Sequence, residues 1–441
     1  MGRFGTDGIR GEVGSEVTVD LAVRLGHAVG ERLAGPGGRV VLGRDPRRSG
    51  EMLGAALAAG LAATGTDVLD LGIVTTPCLV HASAQERVAA GVMVSASHNP
   101  APDNGLKVVV GGRKADARVE VELERLIAVD GERHTRMNHE LGRVREDRSM
   151  IDAYRRSLVD AAGDAFTGLR MAIDCANGSA SAIAPDLFRS LGAKVTVLFD
   201  APDGTNINEG CGSTHPERLA ETVAAAGLDI GFAFDGDADR LIAADETGTL
   251  VDGDAIMGIC ALDRLASGRL RNNLLVTTVM SNGGLERVVT QAGGRMVRTP
   301  VGDRHVFEAM EREDAVLGGE QSGHIIFRDR SSTGDGLLSA IELVRSVRAS
   351  GERLSELVSR IPRLPQVVIN SAVARRDAWR EDTEFVAAIE RATDRMGERG
   401  RVLVRPSGTE PKIRIMVEGD DAGEIDEIAR ELATLAEARL N

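Results

Sequence analysis

Short runs rich in β-branched residues recur along this chain, each followed by a longer Ala-, Leu- and Arg-rich stretch. Residues 40–42, 68–71 and 92–95 read as buried strands, with a helix over 50–64 between the first two. The pattern restarts at 171–174, 195–199 and 230–234, and again at 274–279 and 296–298. Strands alternating with helices define α/β units with largely parallel sheets. Each restart carries a polar, glycine-containing loop, so three related α/β units are expected. An amphipathic helix over 149–162 links the first to the second. Asp252 opens the third, and the proline-spaced stretch 361–365 ends it. Beyond it the order is strand, helix (383–396), two strands (402–404 and 413–417) and helix (422–440), a smaller α+β unit. The predicted domains are therefore 1–150, 151–251, 252–362 and 366–441.

Composition narrows the function. Hydrophobic residues make up 42% of the 441 and charged residues 27%, proportions that support large cores. A net charge of −14 with 2% aromatics argues against nucleic-acid binding, which needs a basic surface and stacking rings. The longest apolar run, 52–63, is broken by Gly54 and Gly60 and falls short of the roughly 20 residues that span a bilayer, so no membrane partner is expected. No secretory leader is visible. The four cysteines, Cys78, Cys175, Cys211 and Cys260, form no CxxC pair, so a cytoplasmic location is expected.

Four loops carry chemistry. In Asp235-Gly-Asp237-Ala-Asp239-Arg240, three carboxylates at alternate positions can converge on one hard divalent cation. An EF-hand fails there, because Arg240 stands where that loop needs glycine. In Ser95-Ala-Ser97-His98-Asn-Pro100, a strand ends by displaying hydroxyls. His98 adjoins Ser97 and no nucleophile elbow surrounds it, so this serine suits a carried phosphoryl group better than direct attack. In Arg405-Pro-Ser407-Gly408-Thr409, hydroxyls, loop N–H groups and a guanidinium fork form a cradle for a phosphate dianion. In Gly318-Gly-Glu320-Gln-Ser322-Gly-His324, polar groups among glycines suit sugar hydroxyls. Residues 4–11 are glycine-spaced but do not match a dinucleotide fingerprint, and none of the four lysines completes a Walker A loop. A cation site, a displayed serine, a phosphate cradle and a polyol loop together describe phosphoryl transfer on a sugar phosphate.

These motifs, in this order and over essentially the whole chain, resemble the α-D-phosphohexomutase family. Residues 4–11, the stretch 206–217 and Gln321 point to its glucosamine-phosphate branch. The resemblance implies a four-domain α/β architecture around a central cleft, three related α/β units plus the smaller α+β domain. It implies that Ser97 is a phosphoserine and that its phosphate, Asp235, Asp237 and Asp239 bind one Mg²⁺. Glu320 and Ser322 would hold sugar hydroxyls, and Arg405, Ser407, Gly408 and Thr409 the non-reacting phosphate. Lys107, in Asp103-Asn-Gly-Leu-Lys107, is the leading general acid/base and His324 the second, with Arg10 and Arg240 as neighbouring cations. The implied reaction interconverts glucosamine 6-phosphate and glucosamine 1-phosphate, primed by glucosamine or glucose 1,6-bisphosphate. A homodimer and a priming kinase are the further partners this architecture admits. Pro46 and His305 depart from the family pattern. The rival readings are a glucose or mannose phosphate mutase, a metal-dependent sugar phosphatase and a non-catalytic phosphosugar-binding regulator.

Overall fold

The computed structural model describes residues 4–5, 8–129, 135–407 and 411–441. Its first sheet runs in the order Ile9–Glu12, Asp103–Val110, Ala90–Val94, Arg39–Arg44, Asp67–Ile73, Val144–Glu146. The second runs Leu250–Val251, Leu241–Asp245, Ile230–Phe234, Arg170–Asp174, Lys194–Leu198, and the third Arg295–Thr299, Leu274–Thr278, Leu317–Gly319, Ile325–Phe327. The fourth has Lys412–Gly419 between Gln366–Ala372 and Gly400–Pro406. Three α/β units and a smaller α+β unit are thus present.

The sheets are less parallel than the alternation predicts. Each of the first three has a parallel centre and an antiparallel edge. Ala90–Val94 pairs antiparallel with Asp103–Val110, Ile230–Phe234 with Leu241–Asp245, and Leu317–Gly319 with Ile325–Phe327. In the fourth, Gly400–Pro406 pairs antiparallel with Lys412–Gly419. Each of the four motif loops therefore closes a hairpin, rather than standing at a parallel strand-to-helix crossover. The alternation does not include the strands Ile9–Glu12 and Asp103–Val110, whose hydrophobic pattern Gly and Asn interrupt.

Helix boundaries follow local chemistry. Asp252 caps Gly253–Ala266 by accepting from Ala255 N, and Asp382 caps Thr383–Met396 by accepting from Phe385 N. The linking helix Ser149–Ala162 buries Tyr154 and Leu158 in a core shared by the first three units. Tyr154 meets the His81 ring at a tilt and donates to Asp335, so one side chain ties three units together. The last unit has its own core around Phe385, Ile413 and Ile428. It docks on the third through Arg401, which donates to the carbonyls of Val279 (2.8 Å) and Ser281 (2.6 Å), and through Glu418, which accepts from Gly283 N at 2.8 Å. No helix among the described residues is long and apolar enough to cross a membrane.

Candidate active site

Three of the hairpin loops meet where the first three units adjoin. Ser97 is buried at the end of Ala90–Val94, with φ 52°. Its Oγ donates to Asp235 Oδ2 at 2.6 Å. Gly236 is required here, because a Cβ would lie 2.6 Å from the Ser97 carbonyl oxygen.

Asp235, Asp237 and Asp239 are all buried, and a ligand oxygen from each lies within 4.8 Å of the others. Burial first, then Asp239 and Asp237, pushes Asp235 well above the usual carboxylate range. Burial and Asp239 also act to raise Asp237, but Lys107 and Thr76 outweigh them and hold it down. Lys107 Nζ donates to Asp237 Oδ2 at 2.7 Å, and Thr76 Oγ1 donates to the same oxygen at 2.5 Å. Asp237 Oδ1 and Asp239 Oδ1 are buried with no hydrogen-bond partner among the described residues. Clustered carboxylates with orphaned oxygens, and no nitrogen or sulfur donors among them, fit a hard divalent cation.

Lys107 is 3% exposed and sits opposite Met93 in the Ser97 hairpin. Its pKa is lowered, chiefly by burial and further by Arg10, against the attraction of Asp237. Arg10 occupies the neighbouring strand, opposite Gly105. Arg240 N donates to Asp235 Oδ1 at 3.1 Å, and its Nε lies 4.0 Å from Asp239 Oδ1. His324 lies between two carboxylates. Its Nδ1 is 3.5 Å from Asp239 Oδ2, its Nε2 is 3.6 Å from Asp303 Oδ2, and Gly334 N donates to Nε2 at 3.1 Å. Burial lowers its pKa, but Asp239 and Asp303 outweigh that and raise it.

Glu320 and Ser322 occupy the turn before His324. Glu320 Oε1 accepts from Gly302 N at 3.0 Å, while Ser322 is exposed. Arg405 and Ser407 lie apart, on the fourth sheet. Arg405 Nη2 is 3.8 Å from Met280 Sδ of the third unit, and Arg376 Nη1 donates to Ser407 O at 2.8 Å. Burial and Arg414 lower Arg405, as expected of adjacent cations held for an anion. Gly408 and Thr409 lie outside the described residues.

Sequence reasoning missed Thr76, Asp303 and Arg376, all distant in sequence from the motifs they serve, and Arg414, which pairs with Arg405 across the hairpin. It also missed Asp45 and Arg47, which follow the buried strand Arg39–Arg44. Two opposite charges beside an apolar strand were the available signal.

Serial α/β units, a buried serine on an acidic triad and a separate basic hairpin are the parts of a phosphosugar mutase. The chain matches the phosphoglucomutase/phosphomannomutase family in its alpha/beta/alpha domain I over residues 1–134, domain II over 151–248, domain III over 252–364 and C-terminal domain over 368–435. It belongs to that family. Within it, the chain is similar to the phosphoglucosamine mutases of Symbiobacterium thermophilum (49% identical, 99% of both chains) and Moorella thermoacetica (48% identical, 99% of both chains). Among solved structures it resembles a phosphoglucomutase/phosphomannomutase family protein from Burkholderia thailandensis, with TM-score 0.84 and 28% identity over 99% of this chain and 98% of that one. It shares its fold with the N-acetylphosphoglucosamine mutase of Aspergillus fumigatus, with TM-score 0.70 and 19% identity over 99% and 96% of the two chains.

Proposed function

We propose that the chain interconverts glucosamine 6-phosphate and glucosamine 1-phosphate through a phosphorylated Ser97 and a 1,6-bisphosphate. The observation that carries this reading is the placement of Ser97 Oγ 2.6 Å from Asp235 within the buried triad. A group carried on Ser97 would sit against the carboxylates, and only a cation makes that arrangement favourable. Asp235, Asp237, Asp239 and the Ser97 phosphate would hold Mg²⁺. When bound, it supplies Lewis-acid neutralisation of charge on the phosphoryl group and the Ser97 oxygen.

The chain's own residues supply position and charge, as phosphoryl transfer demands. In the forward step the P–O bond to Ser97 Oγ breaks as one forms to the free sugar hydroxyl. Lys107, whose neutral form burial favours, takes the proton of the sugar hydroxyl and passes it to the freed Ser97 Oγ. The bisphosphate then turns end for end, and its other phosphate returns to Ser97 by the reverse step. Both ring nitrogens of His324 face protein groups, so this reading gives His324 the role of positioning Asp239 and gives Lys107 the proton. Glu320 and Ser322 orient sugar hydroxyls. Arg405 and Ser407, with Gly408 and Thr409, grip whichever phosphate is idle.

The family relationship supports a domain division at 1–150, 151–251, 252–362 and 366–441. The four free, buried cysteines suit a reducing cytoplasm. Self-association and priming by a kinase are separate propositions, open to light scattering and to phosphorylation of purified protein.

The test is phosphopeptide mass spectrometry after incubation with glucose 1,6-bisphosphate and Mg²⁺. One phosphate on Ser97, lost on adding glucosamine 6-phosphate, is expected. A phosphate elsewhere, or one that sugar does not remove, would refute the reading.

A further inference from the structure

Phosphoryl transfer needs the Ser97 oxygen aimed at the triad, yet its backbone lies in the left-handed region, which a non-glycine residue keeps only where its surroundings hold it there. The first support is Arg47, whose side chain is 0% exposed. All five of its guanidinium N–H donors are used. Nε donates to Asp45 Oδ2 at 2.9 Å, and Nη2 donates to the carbonyls of Ser97 at 3.0 Å and Asn99 at 2.7 Å. Nη1 donates to the carbonyl of Asp103 at 3.0 Å and to that of Pro100. Four of its five bonds thus fall on carbonyls of the serine loop and of the first residue of the strand that follows it.

The second support comes from the neighbouring unit. Asn208 Nδ2 donates to the same Ser97 carbonyl at 2.9 Å and to that of Asn99 at 3.1 Å. Asn208 is itself left-handed, with φ 60°. On the amino side, Ser97 N donates to Ser95 Oγ at 2.9 Å, and Ser95 Oγ donates to Asp45 Oδ2 at 2.6 Å. Both peptide groups flanking Ser97 are therefore fixed, one of them from two units at once.

We propose that Arg47 and Asn208 are positioning residues for phosphoryl transfer: they lock the Ser97 peptide in the left-handed conformation that points Oγ at Asp235, Arg47 from within the first unit and Asn208 across the seam from the second. Asn208, within the stretch 206–217, therefore serves the serine. The proposal rests on the mutase reading. It makes a selective demand on kinetics, because misplacing a reacting atom by about 1 Å can cost a hundredfold in rate, while the grip on the idle phosphate lies on the fourth unit.

The test compares Asn208→Gly, which keeps the left-handed backbone and deletes the donor, with Asn208→Asp, which keeps the shape and sets an oxygen against two carbonyls. Arg47→Lys is the third variant, and the Asn208 pair decides should it fail to fold. Each is assayed for conversion of glucosamine 6-phosphate with Mg²⁺ and a trace of glucose 1,6-bisphosphate, and for amide hydrogen exchange. The expected result for each is a kcat at least tenfold lower with KM within twofold and faster exchange in residues 95–104; for Asn208→Gly, which buries no mispaired group, the melting temperature is unchanged and the faster exchange is confined to that segment. Unchanged kcat, unchanged exchange in that segment, or a loss that follows global destabilisation would overturn it. An inactive unsubstituted protein would refute the mutase reading instead, and the exchange arm would still decide whether these two side chains hold the loop.

Discussion

Lys107 and Asp237 form an ion pair at 2.7 Å with side chains 3% and 0% exposed. Removing one partner of such a pair leaves an uncompensated buried charge and costs about 3–5 kcal/mol, whereas replacing both is often near neutral. The surroundings break the symmetry. Lys107→Met leaves three crowded carboxylates without their nearest ammonium, whereas Asp237→Asn also relieves repulsion from Asp235 and Asp239. In EDTA-treated protein, Lys107→Met should therefore cost the larger share, at the upper end of that range. The double variant should recover all but about 1–2 kcal/mol of the summed losses, a coupling measurable by a denaturation cycle. Mg²⁺ should then stabilise Lys107→Met more than the parent, because the cation supplies the missing counter-charge. A Lys107→Met variant as stable as the parent without metal, or a coupling below about 0.5 kcal/mol, would refute the argument that the ammonium holds this loop together.

Asp239→Asn should weaken divalent binding by at least about tenfold while leaving the fold intact, as read by Mn²⁺ titration in electron paramagnetic resonance; equal affinity would remove Asp239 from the ligand set. Arg405→Ala should raise KM for glucosamine 6-phosphate by about 10- to 100-fold, since a charge-assisted hydrogen bond contributes about 1.5–3 kcal/mol; an unchanged KM would move the phosphate cradle elsewhere. Burial pushes Asp335 up to about 6 from 3.8, so the folded chain holds its proton more tightly than the unfolded one. Stability contributed by this proton is full below about 4 and is lost as pH rises through 6, by at most about 3 kcal/mol. Asp335 caps the helix Gly336–Ser350 by accepting from Leu338 N, and asparagine caps a helix as well as aspartate does. The melting advantage of Asp335→Asn over the parent should therefore grow between pH 5 and 7.5, and a pH-independent difference would contradict the assignment.

The helices and buried parallel strands were legible because their patterns are local. Ser149–Ala162, Thr383–Met396 and Ala422–Leu440 end where periodicity and caps place them. Ile9–Glu12 and Asp103–Val110 were not legible, because Gly and charged residues interrupt their pattern, and the partner of Ile9–Glu12 lies far along the chain. The same distinction holds at the site. Asp235, Asp237 and Asp239 announce themselves by spacing, and Ser97 by its polar turn. Thr76 and Asn208 act through hydrogen bonds made across units, and Arg47 through carbonyl contacts some 50 residues away in its own unit, which leave no periodicity and no spacing to read. A buried arginine that satisfies backbone carbonyls looks in sequence like any surface arginine.

The central claim is that the group on Ser97 passes to sugar and back, not to water. The most direct measurement follows the full chain by ³¹P NMR with Mg²⁺ and a trace of hexose 1,6-bisphosphate, offering glucosamine 6-phosphate, glucose 6-phosphate and mannose 6-phosphate in turn. The account predicts glucosamine 1-phosphate as the favoured product with no inorganic phosphate released. Preferential turnover of glucose or mannose phosphate would contradict the substrate assignment, and steady release of inorganic phosphate would contradict the mutase mechanism itself.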